Sequence, residues 1–193
     1  MTKKSYILRG LGLLFVFILV VFTGVFFYAY ITGGDSKALS LFSGDGVGVL
    51  QIDGAIDDSR SVLIELKRLK EMPWVKAVVV RIDSPGGAVA PTQEIFEEIQ
   101  RSKKQKPFIA SMGGMATSGG YYIAAACDKI VANPGTLTGS IGVIMQLTNL
   151  EELMKKVGVK GLNIKSGANK DLGSPFQAIS PEGREILQSL VDN

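Results

Sequence analysis

The 193-residue chain contains no histidine and only one cysteine, Cys127. Without an imidazole it cannot form a Ser-His-Asp triad, a Cys-His pair or an ordinary zinc site. A single cysteine excludes an internal disulfide and a cysteine cluster for metal. Cys127 is therefore interpreted as a small packed side chain, and any catalysis must use other groups.

The sequence also has no strong excess of charge of either sign. The chain has 21 Lys and Arg against 18 Asp and Glu, a net charge of +3. Such a balance gives no electrostatic basis for binding nucleic acid. No glycine-rich loop is followed by Gly-Lys-Ser/Thr, so the sequence contains no P-loop for nucleotides.

Charged residues are absent from the stretch between Arg9 and Asp35. A helix over residues 10–31 would be about 33 Å long, enough to cross a bilayer core. The stretch ends in aromatic residues at 26–30, which are typical of a membrane interface. We therefore predict an uncleaved transmembrane helix over 10–31; a long signal peptide is the alternative.

The orientation of this helix follows from the basic residues that precede it, Lys3, Lys4 and Arg9. The positive-inside rule predicts that residues 1–9 form a short cytoplasmic tail. The chain is then a single-pass protein of a bacterial-type cell membrane, and the domain that follows lies outside the cytoplasm.

The remaining chain alternates between two kinds of pattern. Residues 32–46 are rich in glycine and serine and have no periodicity, which predicts a linker before a domain over 47–193. Short Val- and Ile-rich runs predict strands buried on both faces, at 47–52 and 75–82, with a further strand at 108–110. Amphipathic or small-residue stretches predict helices at 58–72, 91–103 and 119–127. This alternation predicts an α/β fold of repeated ββα or βαβ units around a mostly parallel sheet.

A last helix is predicted to begin at Ser180-Pro181. Its apolar stripe consists of Ile186, Leu187, Leu190 and Val191. The stripe needs a partner, which is either the core of the same domain or a continuation that the chain lacks.

Two glycine-rich loops concentrate the chemistry. Residues 83–88 (DSPGGA) follow a predicted strand, where paired glycines allow backbone N–H groups to form an oxyanion hole, although such stretches are often plain turns. Residues 113–120 (GGMATSGG) join a strand to a helix and place Ser118 in a small-x-Ser-x-Gly pattern. This pattern is close to a nucleophile elbow; the alternative is that Ser118 only caps the helix.

A nucleophilic serine needs a base, and without histidine this must be a carboxylate or a lysine that burial has deprotonated. Lys165 and Lys170 flank an uncharged loop at 166–169. Composition does not decide between these two lysines.

Four motifs together resemble the signal peptide peptidase A family, membrane-anchored Ser-Lys peptidases with a Clp protease/crotonase-like fold. They are DSPGG at 83–87, MATSGGYY at 115–122, GTLTGSIGV at 135–143 and KSGANK at 165–170. The resemblance runs in order from about residue 47 to the end. Family members usually continue well beyond the lysine motif, so the domain at 47–193 is expected to lack its carboxyl-terminal part.

The resemblance implies specific roles. Ser118 is the nucleophile, Lys170 is the general base, Lys165 is structural, and Ser140 helps to hold the lysine amine. The oxyanion N–H groups implied by the resemblance belong to Gly86 or Gly87, and to Gly119.

The implied function is hydrolysis of cleaved signal peptides and similar apolar peptides by a homo-oligomer that contacts membrane lipid and needs no metal or cofactor. Two alternatives from other classes are a crotonase-like acyl-coenzyme A enzyme and a catalytically incomplete membrane scaffold on the same fold.

Overall fold

The structure is a computed structural model that describes residues 3–31 and 44–192. The helices are α1 (Lys3–Ile31), α2 (Arg60–Glu71), α3 (Val89–Ser102), α4 (Gly119–Ala126), α5 (Glu151–Lys156) and α6 (Pro181–Asp192). The strands are β1 (Gly46–Asp53), β2 (Val75–Ser84), β3 (Phe108–Thr117), β4 (Lys129–Val131) and β5 (Leu137–Gly139). Most of the predicted linker at 32–46, and the start of the predicted tail at 1–9, lie outside the described residues.

The strands form one parallel sheet in the order β1-β2-β3-β4. Helices α2, α3 and α4 connect the successive strands, so the predicted α/β fold with a parallel sheet is confirmed, with βαβ units in the described residues. β5 also pairs with β3, through residues 115–117, whereas β4 pairs with residues 109–111. β3 is therefore longer than the predicted 108–110, because both of its halves find a partner strand.

Helices pack on one face of this sheet. The core joins side chains from the strands and from α2, α3 and α4: Leu50, Val78, Val80, Ile82, Phe108, Ala110, Leu66, Ile95, Ile99 and Ile123. Burying each large apolar side chain contributes roughly 1.5–3 kcal/mol. On the opposite face, Val47 and Val49 are exposed and Val79 is half-buried. The prediction that β1 and β2 are buried on both faces is thus wrong for the described residues, because Val and Ile favour strands whether one face or both are covered.

The carboxyl-terminal part contains α5 and α6. The predicted start of the last helix is confirmed, and Ser180 Oγ accepts a hydrogen bond from the Gly183 N–H at 3.0 Å. In the predicted stripe, Ile186, Leu187 and Val191 are half-buried, whereas Leu190 is exposed. This stripe is therefore only partly covered.

The amino-terminal helix α1 covers the predicted span at 10–31. Within the described residues, no helix combines the length and apolarity needed to cross a membrane.

Candidate active site

The turn between β3 and α4 has an unusual backbone at Ser118, with φ 51° and ψ −119°. Such a conformation costs a non-glycine residue on the order of 1–3 kcal/mol. Two backbone hydrogen bonds hold it: the Ser118 N–H donates to Gly139 O at 2.8 Å, and Ser118 O accepts from the Tyr122 N–H at 2.9 Å. The side chain makes no capping hydrogen bond to α4. The alternative role of Ser118 as a simple helix cap therefore has no support in the geometry.

Gly86 lies directly against this turn. Its φ is 94°, and a Cβ added to it would lie 2.8 Å from Ser118 Cβ and 2.8 Å from Gly119 N. Any side chain at this position would push the Ser118 turn away. The loop after β2 and the loop after β3 can approach each other this closely only because residue 86 is glycine.

In the loop at 83–88, the backbone N–H groups of Gly86 and Gly87 differ in their hydrogen bonds. The Gly86 N–H donates to Ser84 Oγ at 3.1 Å, and that hydroxyl donates in turn to Gly54 O at 2.6 Å. The loop is also tied to Ile56, whose N–H donates to Gly86 O at 3.0 Å. Among the described residues, the N–H of Gly87 has no hydrogen-bond partner. Of the two glycines predicted to form an oxyanion hole, only Gly87 therefore has its donor available.

Gly119, the first residue of α4, is buried beside Thr92. A Cβ on Gly119 would lie 2.7 Å from Thr92 Oγ1. Within the described chain, the Gly119 N–H donates no hydrogen bond, and Thr92 Oγ1 is a buried oxygen without a partner. The Gly119 N–H lies at the amino end of a helix, where the helix dipole favours negative charge.

Asp83, at the end of β2, holds part of the β3 backbone in place. The pairing register between β2 and β3 changes near residue 83. Ile82 pairs with Met112, but Ser84 pairs with Ala116. The Asp83 carboxylate spans the resulting bulge, accepting hydrogen bonds from Gly114 N–H at 3.3 Å and Met115 N–H at 3.0 Å. A bulge re-aims the residues that follow it. The only sequence signal was an acidic residue at the end of a strand beside a Gly-Gly pair.

Ser140 lies at the end of β5, directly after Gly139, and has a φ of 55°. Gly139 O accepts a hydrogen bond from the Ser118 N–H, so Ser140 directly follows the residue that holds the Ser118 turn. Its side chain is exposed. The structure thus brings Ser118, Gly86, Gly87, Gly119 and Ser140 to the carboxyl ends of β2, β3 and β5.

Lys170 is not joined to this cluster. Its side chain is exposed, and it forms neither a hydrogen bond to Ser118 nor an ion pair within the part of the chain that the structure describes. Its backbone N–H donates to Gly167 O at 3.3 Å, in a turn.

Lys165 makes a local ion pair with Asp171. Its Nζ lies 2.6 Å from Asp171 Oδ1 and donates to Ala168 O at 2.7 Å. This ammonium group is the main reason that the pKa of Asp171 is lowered to about 2. Of the two candidate lysines, Lys165 therefore has its charge already paired.

No group of three or more acidic or cysteine side chains that could hold a metal ion occurs among the described residues. Cys127 is buried, and this burial, aided by Asp128, raises the pKa of its thiol to about 12. Cys127 thus has the environment of a packed, unreactive thiol.

The close approach at Gly86 leads to a direct prediction. We expect Gly86→Ala to lower the free energy of unfolding by about 1–2 kcal/mol through its positive φ, and by a further 1–3 kcal/mol through overlap with the Ser118 turn. The matched control is Gly54→Ala, since Gly54 has φ 72° but open space at its Cβ position. Urea denaturation of both variants measures the difference, and equal losses would contradict the proposed overlap.

Comparisons with known proteins find similarity to two protease families. Residues 100–193 match peptidase family S49, and residues 48–137 match the Clp protease family. A protein of Synechocystis sp. named as a protease is 44% identical over 146 residues, which cover 75% of this chain and 52% of that protein. A protein of Enterococcus faecium named as a signal peptide peptidase SppA is 41% identical over 133 residues, 68% of this chain and 39% of that protein.

A solved structure named as a 1510-N membrane-bound stomatin-specific protease is 28% identical, with a TM-score of 0.48, and the match covers 55% of this chain and 53% of that chain. The present chain spans about half or less of the length of the two relatives above. The residue range that matches S49 includes both Ser118 and Lys170. Together with these relatives and the four motifs in order, this match identifies peptidase family S49 as the family that this chain resembles.

Proposed function

We propose that this chain is the membrane-anchored part of a serine peptidase in which Ser118 is the nucleophile and Lys170 is the general base. The observation that carries the proposal is the Ser118 turn, which has positive φ, no capping hydrogen bond and a glycine loop packed directly against it. Strained backbone of this kind is concentrated at functional sites.

The reaction is acyl transfer to Ser118. Neutral Lys170 Nζ accepts the hydroxyl proton while Oγ forms a bond to the peptide carbonyl carbon. The lysine then gives this proton to the leaving amine as the C–N bond breaks. In the second half, Lys170 accepts a proton from water as the water oxygen forms a bond to the acyl carbon. The acyl C–Oγ bond then breaks, and Lys170 gives the proton to Oγ, which releases the carboxylic acid and regenerates Ser118.

The tetrahedral intermediate needs donors for its oxyanion, and we assign this role to the N–H groups of Gly87 and Gly119. Both are free of hydrogen bonds within the described residues, whereas the Gly86 N–H is bonded to Ser84. Gly86 then supports the site by its close packing instead of by donation. Removing one such donor typically costs about 3–4 kcal/mol of transition-state stabilisation.

Lys170 can act as a base only where its neutral form is favoured, which requires removal from water. In the described structure Lys170 is exposed, as are the nearby apolar side chains of Leu162 (86%) and Ile164 (95%). We infer that this segment is covered in the active enzyme, which brings Lys170 towards Ser118 and Ser140. A homo-oligomer, which sedimentation of the solubilised chain would detect, is one way to cover it.

We propose apolar peptides, including cleaved signal peptides, as substrates. The uncharged run at 10–31 would anchor the chain in the membrane beside such peptides, with residues 1–9 in the cytoplasm. Large apolar side chains of α1, such as Leu13 (72%) and Phe22 (68%), are exposed and do not pack on the domain. The E. faecium relative is named as a signal peptide peptidase, which favours the same substrate class.

A fluorophosphonate that cannot cross membranes tests both the nucleophile and the topology. In cells whose outer layer has been opened, we expect it to label Ser118, because the domain after α1 lies outside the cytoplasm. Mass spectrometry of the labelled peptide identifies the serine.

The comparison with lysed cells separates the two parts of this proposal. Labelling only after lysis would overturn the orientation but not the nucleophile. Absence of labelling under both conditions would overturn the peptidase assignment and favour an acyl-coenzyme A enzyme or a scaffold without catalytic activity.

A further inference from the structure

The loop that carries Lys170 is closed by an ion pair between its two ends. Lys165 Nζ lies 2.6 Å from Asp171 Oδ1, so the side chains at 165 and 171 join across the turn. The second carboxylate oxygen of Asp171 accepts a hydrogen bond from Asn163 Nδ2 at 3.3 Å. Gln177 Nε2 donates to the backbone carbonyl of Asp171 at 3.4 Å. Asp171 is therefore held on both its side chain and its backbone.

Asp171 is the half-buried member of this pair, and the neighbouring Lys170 is not paired. The Lys165 and Asp171 side chains are 36% and 14% exposed, respectively, and Lys170 is exposed and forms no ion pair within the described residues. Both oxygens of the Asp171 carboxylate are thus engaged away from Lys170, although residues 170 and 171 are adjacent in the chain.

The consequence is electrostatic. A carboxylate within about 4–6 Å of an ammonium group favours the charged form of that group by roughly 1–3 pH units. Asp171 follows Lys170 directly in the chain, so an unpaired Asp171 carboxylate would favour the protonated form of the Lys170 amine, which cannot act as a base. The Lys165 ammonium, 2.6 Å from Asp171 Oδ1, offsets this negative charge. On α5, Glu151 is likewise paired, with Lys155 at 2.9 Å, and accepts a hydrogen bond from the Ala178 N–H at 2.9 Å.

We propose that Lys165 and Asp171 are positioning residues for Lys170: their ion pair fixes the turn and withholds the Asp171 carboxylate from the Lys170 amine. This inference rests on the proposed role of Lys170 as the base. Asp171 itself does not titrate near neutral pH, because Lys165 holds its pKa at about 2. Its lowered pKa means that the ion pair is intact above the usual carboxyl range and is lost only as pH falls towards 2.

The test is the pH dependence of peptide hydrolysis by the full chain in detergent. Lys165→Met releases the carboxylate, so we expect the midpoint of the rising limb to move up by about one pH unit and the rate at pH 7 to fall about tenfold, with the alkaline plateau largely retained. Asp171→Asn leaves the Lys165 cation unpaired, and a nearby positive charge disfavours protonation of Lys170. The midpoint of the rising limb for this variant is therefore expected to move down. The double variant Lys165→Met/Asp171→Asn should return close to the wild-type midpoint.

A merely structural role would lower the plateau rates without moving the two midpoints in opposite directions. Lys165→Arg keeps the pair and is expected to keep the wild-type profile, which protects the test if Lys165→Met folds poorly. Lys155→Met removes an ion pair elsewhere in this part of the chain and is the matched control.

Unchanged midpoints in Lys165→Met and Asp171→Asn, or shifts in the same direction, would overturn the inference. The variant Lys170→Met separates this result from failure of the proposed function. If Lys170→Met is inactive while the other midpoints stay unchanged, only the positioning role is wrong. If Lys170→Met is active, the dyad itself is wrong.

Discussion

Replacing Ser118 by alanine is expected to lower the rate of peptide hydrolysis by roughly four or more orders of magnitude. The variant keeps the glycine N–H groups and the peptide-binding surface but has no oxygen to form the acyl-enzyme, so only transition-state stabilisation without a nucleophile remains. Steady-state hydrolysis of an apolar peptide by the detergent-solubilised chain measures this loss.

The fold should survive this substitution. Ser118 Oγ makes no hydrogen bond to cap α4, and alanine retains the Cβ that packs beside Gly86. Circular dichroism and the urea midpoint are therefore expected to stay near the wild-type values. Ser61→Ala, at an exposed serine on α2, is the matched control and should keep full activity. Substantial turnover by Ser118→Ala would show that another residue attacks the substrate.

Lys170→Met is expected to abolish hydrolysis to a similar extent. Methionine has a similar length but cannot accept a proton, so Ser118 stays a hydroxyl and its attack on the carbonyl is slow. The loss should appear in kcat more than in KM, because the lysine acts in the transition state rather than in binding.

The stability of Lys170→Met gives a second measurement. Lys170 has no ion pair within the described residues that the substitution would remove, and covering an apolar side chain costs less than covering an amine. The thermal midpoint of the assembled enzyme is thus expected to be equal or higher at neutral pH. Lys160→Met, at an exposed lysine of the same segment, should leave both activity and stability unchanged. An active Lys170→Met enzyme would exclude the dyad.

The elements that local pattern determines were predictable from the sequence. The parallel α/β arrangement follows from Val- and Ile-rich runs that alternate with amphipathic stretches, since each such element must bury one apolar face. The start of α6 at Pro181 is also local, because it depends on the residues beside it along the chain, such as Ser180, whose hydroxyl accepts from the Gly183 N–H.

Features that depend on contacts between distant residues could not be predicted in this way. Whether Gly86 or Gly87 has a free N–H is decided by Ser84 and its bond to Gly54, a partner from a different strand connection. The sequence marks both glycines equally, because it does not record where the Ser84 hydroxyl points.

The bulge held by Asp83 and the ion pair between Lys165 and Asp171 have the same origin. Composition shows that the charges exist, but only the tertiary structure decides which donor each carboxylate meets. The residue types in the sequence by themselves determined the fold class and the resemblance to family S49, since motifs and periodicity are written along the chain. Tertiary structure alone decided which N–H groups and charges are free to act, because a hydrogen bond or ion pair forms between groups that the fold brings together.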